Sequence, residues 1–388
     1  MGVIMPKVKE KKKMNKGLKA LIIIVSIILI IAIAAIVFIN IVTKPTSDSD
    51  PERYAVGGMV VSDTVEYQDE SGKSIKHNPV VRIMQMVWRF CADGDAAKHA
   101  VQTPPESVEK IKDIAYIDDG NIYHQLDVYY PQGTKKNAKL PVIIDIHGGG
   151  WMYGDKDLNE YYCLALANQG YCVFNMSYRL VPDVTVNEQL QDVALALKWI
   201  SENMKNYPCD ADNIMLTGDS AGGQLAVYSA ALLQSEDLRT IFNVENGNLE
   251  ITALVLTSPV SYMEDGGAFS LYTKVLWGKD YKEKETYNFM DLSEIIGFAE
   301  LPQTFLITSS GDSLAHDQTV RAYNQLLESG VKCELADYGE EFGEPLPHVF
   351  SVLYPFDAAG TDVITKELDF FQRAMLLKAM DETDYQAQ

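Results

Sequence analysis

Gly218-Asp219-Ser220-Ala221-Gly222-Gly223 places a serine inside G-x-S-x-G, between the apolar run Asn213–Thr217 and the Ala/Leu-rich stretch Ala221–Leu233. A strand that feeds a helix through so tight a turn lifts the serine hydroxyl clear of the sheet, and only small residues fit around it. The serine also stands at a helix N-terminus, where free amides and the helix dipole favour developing negative charge. The chemistry such a residue serves is attack on a carbonyl carbon. A second glycine run, His147-Gly148-Gly149-Gly150-Trp151, follows the apolar segment Leu140–Ile146. Glycines let a substrate approach the backbone closely, which suits an oxyanion hole with Gly148 and Gly149 donating beside the amide of Ala221. A phosphate cradle is the competing reading, but no Lys-Ser/Thr pair stands at the spacing that would require.

A serine nucleophile needs a base, and the base needs an orienting acid. For a serine on a strand-to-helix elbow the chain order is Ser, acid, His. Of six histidines (77, 99, 124, 147, 316, 348), only His316 and His348 follow Ser220. His348 lies in a Gly/Pro-rich loop after the strand-like Val331–Tyr338, where an imidazole can reach the serine; His316 opens a helical stretch. Asp312 follows the apolar run Gln303–Thr308, at a carboxyl end of the sheet where such sites assemble. Asp317 and Asp337 remain alternatives for the acid.

The elements that must hold these residues alternate between periods of two and of 3.6. Ile111–Tyr116 and Gln125–Tyr130 read as an early strand pair. Leu140–Ile146, Tyr171–Met176, Asn213–Thr217, Ile251–Thr257, Gln303–Thr308 and Val331–Tyr338 read as strands. Asn159–Gln169, Glu188–Glu202, Ala221–Leu233, His316–Ser329 and Thr361–Lys378 read as helices. Such alternation predicts the α/β class: a mostly parallel central sheet with helices on both faces. Val80–Ala92 has Val80, Ile83, Met84, Val87 and Cys91 at helical spacing and reads as an amphipathic helix that packs on the core or caps it.

Charge divides the chain. Of 388 residues carrying a net charge of −21, residues 1–44 hold eight Lys and one acid, leaving twenty-five basic against fifty-three acidic residues beyond. A body that acidic is repelled by phosphate backbones, which excludes nucleic acid as a partner. Residues 20–42 carry no charge and are mostly Ile, Val, Leu and Ala, long enough to cross a hydrocarbon core of about 30 Å. Seven Lys precede the run, so the positive-inside rule puts the N-terminus in the cytoplasm and the bulk of the chain outside. A cleaved signal peptide ending near Ala32-Ile33-Ala34 is the rival. The expected organisation is therefore a basic tail (1–19), a transmembrane anchor (20–42), a linker (43–53), an N-terminal cap or extension (54–107) and a catalytic domain (108–388). Five scattered cysteines (91, 163, 172, 209, 333), with no C-x-x-C pair, give no zinc pattern and name no disulfide partners.

In combination HGGGW at 147–151, YRLVPD at 178–183, QDVALALKWI at 191–200, GDSAGG at 218–223, GDSLAHD at 311–317 and HVF at 348–350 resemble the α/β-hydrolase esterases of the hormone-sensitive-lipase-like group. The resemblance covers residues 108–380. It implies the α/β-hydrolase fold with a small cap, a triad of Ser220, Asp312 and His348, and oxyanion donors at Gly148, Gly149 and Ala221. It also implies carboxylic-ester hydrolysis with no metal and no cofactor. The segment at about 261–300 (Tyr262, Phe269, Tyr272, Trp277, Tyr281 and Tyr287 among charged residues) is expected as a cap insert over a small pocket, which favours short acyl chains. An amidase or arylformamidase would use the same triad, and a non-catalytic surface module would use none of it; the oligomeric state is not legible.

Overall fold

The computed structural model describes residues 16–42, 54–58, 79–263, 273–278 and 280–386, with side chains described over 24–38, 54–58, 80–263, 273–278 and 280–380. Residues 1–46 and 47–388 form two compact units. The described residues of the first form the helix α1 (Lys16–Val42). Among the described residues no helix is long and apolar enough to cross a membrane; the expected span at 20–42 extends beyond the described side chains of α1 at both ends. The basic tail up to residue 15, the linker at 43–53, and Phe269 and Tyr272 also lie outside the described residues.

The second unit is built on an eight-stranded sheet: β1 (Val108–Ala115), β2 (Gln125–Pro131), β3 (Leu140–Ile146), β4 (Cys172–Met176), β5 (Cys209–Asp219), β6 (Ala253–Thr257), β7 (Thr304–Ser309) and β8 (Cys333–Tyr338). Its order is β1-β2-β4-β3-β5-β6-β7-β8. β1 and β2 are antiparallel, as is β2 with β4; every pairing from β4 to β8 is parallel. Alternation along β3 explains why both faces are covered. Val142, Ile144 and Ile146 pack on one side with α4 (Val186–Asn203), α5 (Ser220–Gln234), α6 (Glu236–Phe242) and α9 (His316–Glu328). Ile143 faces the other, against α3 (Glu160–Asn168), α10 (Phe350–Leu353) and α11 (Ala358–Gln386). A sheet buried on both faces needs the continuous apolar strands seen in the sequence. α4 begins with a capping box in which Glu188 accepts the Thr185 amide at 2.7 Å, satisfying an otherwise orphaned donor.

The chain leaves β3 for β4 on one side and then returns across to β5 on the other. β3 and β5 are direct neighbours, with Ile146 level with Gly218, so their following loops diverge at one crevice. Open α/β sheets bind ligands at such switch points.

The N-terminal extension is knit onto this crevice. Val56 bridges Tyr153, the Gly57 amide donates to Met152 O at 2.7 Å, and Gln85 Nε2 donates to Gly57 O at 2.9 Å. α2 (Pro79–His99) buries Val81, Met84, Gln85 and Ala92 and leaves Val80, Ile83, Val87 and Phe90 exposed. The expected helix is present, but Val80 and Ile83 of its expected stripe face outward, and Val87, though half exposed, borders the cavity described below. The contacts of Gln85 and Trp88 set its rotation.

The segment at 261–300 forms short helices, among them α7 (Thr273–Trp277) and α8 (Leu292–Ile296). Leu276, Trp277, Phe289, Leu292 and Ile295 are buried against the α5 side of the core. The Tyr228 hydroxyl of α5 donates to Phe289 O at 2.6 Å and ties the segment down.

Candidate active site

Ser220 is the first residue of α5 and has φ 51°. A non-glycine residue in this region is strained, and such strain persists where the surrounding fold over-determines it. Gly222 has to be glycine, since a Cβ there would sit 2.1 Å from Ile146 O. Those two constraints turn the chain sharply and raise the Ser220 hydroxyl to the crevice.

His348 Nε2 lies 2.9 Å from Ser220 Oγ, and His348 Nδ1 lies 2.9 Å from Asp312 Oδ2. The order Ser–His–Asp is thus assembled from the end of β5, the loop after β8 and the loop after β7. The other oxygen of Asp312 accepts the amides of Leu314 at 3.0 Å and Ala315 at 2.9 Å. Burial raises the Asp312 carboxyl, but the His348 and backbone hydrogen bonds outweigh it and hold the group below the ordinary aspartate value. Its charge is kept where an imidazolium would form. The alternatives sit elsewhere: His316 is on the surface, between Asp317 and Asp337 on β8. That exposed trio does not reach Ser220.

The glycine run departs from expectation in one respect. The Gly148 amide, expected as an oxyanion donor, donates to Asp219 Oδ1 at 3.0 Å. Gly149 and Gly150 instead line the cavity that holds Ser220 and His348. Both have positive φ, 102° and 56°. The run is held from beneath: Tyr178 OH donates to His147 O at 2.7 Å, and the Trp151 indole donates to Gln224 at 3.0 Å. His147 stacks on Tyr178 with ring centroids 4.2 Å apart, and burial pushes its pKa down to about 4. This histidine is a neutral packing residue.

Asp219 was not singled out by the sequence, being the variable position of its motif. It is almost fully buried, and its Oδ1 accepts both the Gly148 amide and Asn159 Nδ2 at 2.8 Å. Asn159 Nδ2 also donates to Asp145 at 2.9 Å. Burial pushes the Asp219 carboxyl up to about 6, against the opposing pull of Asn159, His348 and the Gly148 amide. The side chain ties the glycine run to the elbow.

The cavity holding Ser220 has a volume of about 540 Å³ and is walled by Val87, Trp88, Phe90 and Cys91 of α2, by Tyr153 and Leu158, and by Leu314, Val352 and Leu353. Trp88 stacks on Tyr153 at 5.4 Å and lies over Gly150, where a Cβ would come within 2.3 Å of the indole. None of the described residues of 261–300 lines this cavity. Among the described residues no His/Cys/Asp/Glu group has the form of a metal site.

The BD-FAE family model matches residues 126–293. Esterase B from Lactobacillus rhamnosis, solved with a C6-C4 SN3 inhibitor, is 31% identical; the superposition covers 79% of this chain and 100% of that one, with a TM-score of 0.75. This chain belongs to the α/β-hydrolase carboxylesterases. Two further relatives of this carboxylesterase are curated proteins. The probable carboxylic ester hydrolase LipM of Mycobacterium tuberculosis is 27% identical over 72% of this chain and 66% of that protein. Arylacetamide deacetylase from Bos taurus is 34% identical over 37% of this chain and 36% of its own length. The chain thus spans less than two thirds of either curated relative.

Proposed function

We propose that this carboxylesterase hydrolyses short-chain acyl esters through Ser220, His348 and Asp312. The observation that carries the reading is the unbroken hydrogen-bond chain from Ser220 Oγ through the imidazole to Asp312. Ser220 attacks the ester carbonyl as His348 takes its proton. Asp312 fixes the imidazole tautomer and stabilises the imidazolium. The amides of Gly149, Gly150 and Ala221 receive the oxyanion; each such donor is typically worth about 10²–10³ in rate. His348 then protonates the leaving alcohol, and water attacks the acyl-enzyme by the reverse of the same steps. The cavity's moderate volume and apolar wall favour a short acyl group, and esterase B has also been solved inhibited by a C4-C4 SN3 tributyrin phosphonate.

A fluorophosphonate probe tests the reading. The wild-type protein should be labelled on Ser220, and Ser220→Ala should abolish both labelling and hydrolysis while leaving the melting temperature within a few degrees. Labelling at another residue would overturn it. Aryl amides are a second substrate class, favoured by the arylacetamide deacetylase relative; comparing acetanilide with phenyl acetate separates the two.

We further propose that residues 20–42 anchor the protein in a membrane with the catalytic unit outside the cytoplasm. The support is the uncharged apolar run, the seven preceding Lys and the acidic remainder. Protease added to intact cells should remove the C-terminal unit and spare a tag on residues 1–15; a released form starting near Ala35 would favour the signal-peptide reading.

A further inference from the structure

Cys172 opens β4 and Cys209 opens β5, on either side of β3, at the end of the sheet away from Ser220. Their sulfurs are 3.2 Å apart. Cys172 is buried and Cys209 half-buried, so an oxidant reaches the pair through Cys209. The other thiols are differently placed: Cys91 faces the substrate cavity, Cys163 is buried beside Asp145, and Cys333 donates to Tyr323 O at 3.7 Å. β3 slips register between Pro141 and Val142, alongside the pair. A disulfide bond is about 2.05 Å long, so closure asks the sulfurs to approach by roughly 1 Å, at a point where the sheet is already irregular.

We propose that Cys172 and Cys209 are a disulfide-forming pair that cross-links β4 to β5, with a small-molecule disulfide as oxidant. The Cys209 thiolate, its proton released to water, attacks one sulfur of the oxidant; a mixed disulfide forms and one thiolate leaves. Cys172 loses its proton and attacks Cys209 Sγ, expelling the second thiolate. The two protein thiols give up two electrons and two protons, and the oxidant becomes two thiols. The cross-link closes a loop with a sequence separation of 37 residues that includes α4. Loop closure of that size should raise the unfolding midpoint by about 5 °C in a domain this large. Ser220 lies eleven residues on from Cys209, just past the opposite end of β5, so hydrolysis should be unaffected.

In the cell, oxidation rests on the outward placement proposed above; in the purified protein it does not. The full chain in detergent is treated with oxidised or reduced glutathione, blocked with N-ethylmaleimide, digested and mapped unreduced by mass spectrometry. The expected result is one cross-linked peptide joining Cys172 to Cys209, a midpoint about 5 °C higher, and hydrolysis of p-nitrophenyl acetate unchanged within twofold. Cys209→Ser and Cys172→Ala should each abolish the peptide and the midpoint shift while retaining that hydrolysis. Separate glutathionylation or alkylation of both residues after oxidation, or pairing of either with Cys91, Cys163 or Cys333, would overturn the pair. A pair that closes in the purified protein but is found reduced in chains alkylated at lysis supports the proposal and counts against the outward placement.

Discussion

Two buried aspartates flank the Ser220–His348 pair, one in the loop after β7 and one at the end of β5, and their environments act in opposite directions. Burial raises both carboxyls. Asp312 offers one oxygen to two backbone amides and the other to the imidazole, and those bonds bring it below the ordinary value. Asp219 meets the Gly148 amide and Asn159 with a single oxygen and is left at about 6. The difference follows from what each must hold. A group that must stabilise an imidazolium needs a charge and two accepting oxygens; one that secures a loop amide and a neutral side chain needs only an acceptor.

The same substitution should therefore have unequal consequences. Asp312→Asn turns an amide N–H toward His348 Nδ1 or forces the wrong tautomer, and kcat should fall by about 10⁴ with little change in KM. Asp219→Asn keeps an oxygen for both donors, so kcat should stay within about threefold of wild type. Asp219→Ala removes that oxygen and leaves the Gly148 amide unpaired. It should lower kcat by about 10–10² through a displaced glycine run and cost about 1–3 kcal/mol in stability. Steady-state kinetics and urea melts on the three variants check this. A crippled Asp219→Asn beside a mild Asp312→Asn would reverse the roles.

Stability against pH sharpens the contrast, because the signs differ. The folded-state pKa of Asp219 is raised above that of an unfolded aspartate, near 4. Between about 4 and about 6 the unfolded chain gives up this proton more readily, so the native state loses stability as pH rises through that window, by up to about 3 kcal/mol. Asp219→Asn removes the loss and should gain on the wild type between pH 4 and pH 8. Asp312 is depressed, so its contribution is present above pH 4 and lost as pH falls through the folded value. Melts of Asp312→Asn should show a deficit at pH 7 that shrinks on acidification. Parallel pH profiles for the two variants would break the comparison.

What could be read in advance follows the range of the interactions involved. Ser220 was legible because its turn is local: small residues, a strand before and a helix after. Position in the chain narrowed the base to His316 and His348, and the Gly/Pro-rich loop around His348 favoured it over a histidine opening a helix; Asp312 was read from its place at a strand end. β3 was located to the residue because an apolar run interrupted only by Asp145, and bounded by Lys139 and by His147 with its glycines, reads as one covered strand. The three glycines of 148–150, by contrast, are alike in sequence. Which amide is spent depends on Asp219, 71 residues away, and no local pattern carries that contact. The wall of the cavity was hidden similarly. The periodicity of 80–92 predicts a helix, but both of its stripes are apolar, and only the contacts of Trp88 and Gln85 select the one that packs. The aromatics of 261–300 have the composition of a cap, while Tyr262, Trp277, Tyr281, Tyr287 and Phe289 are spent on the core.

The smallest predicted effect concerns that wall. Trp88 borders the cavity and lies over Gly150, whereas Tyr287, in the expected cap, packs against the core. In the wild type, kcat/KM for p-nitrophenyl esters should peak between acetyl and hexanoyl and fall at least tenfold by dodecanoyl. Each added methylene gains about 0.8 kcal/mol, near fourfold in affinity, until a wall is met. Replacing the indole by a smaller side chain moves that wall outward. Trp88→Phe and Trp88→Ala should shift the optimum to longer chains by two carbons or more, with kcat/KM on acetyl changed less than about fivefold. Tyr287→Ala should leave the chain-length profile where it was. The Phe variant keeps an aromatic ring against Tyr153, so a shift seen in it reports pocket shape and not a loosened helix. If the profile moves with Tyr287 and stays fixed with Trp88, the limit on acyl length belongs to 261–300 and α2 is only a cover.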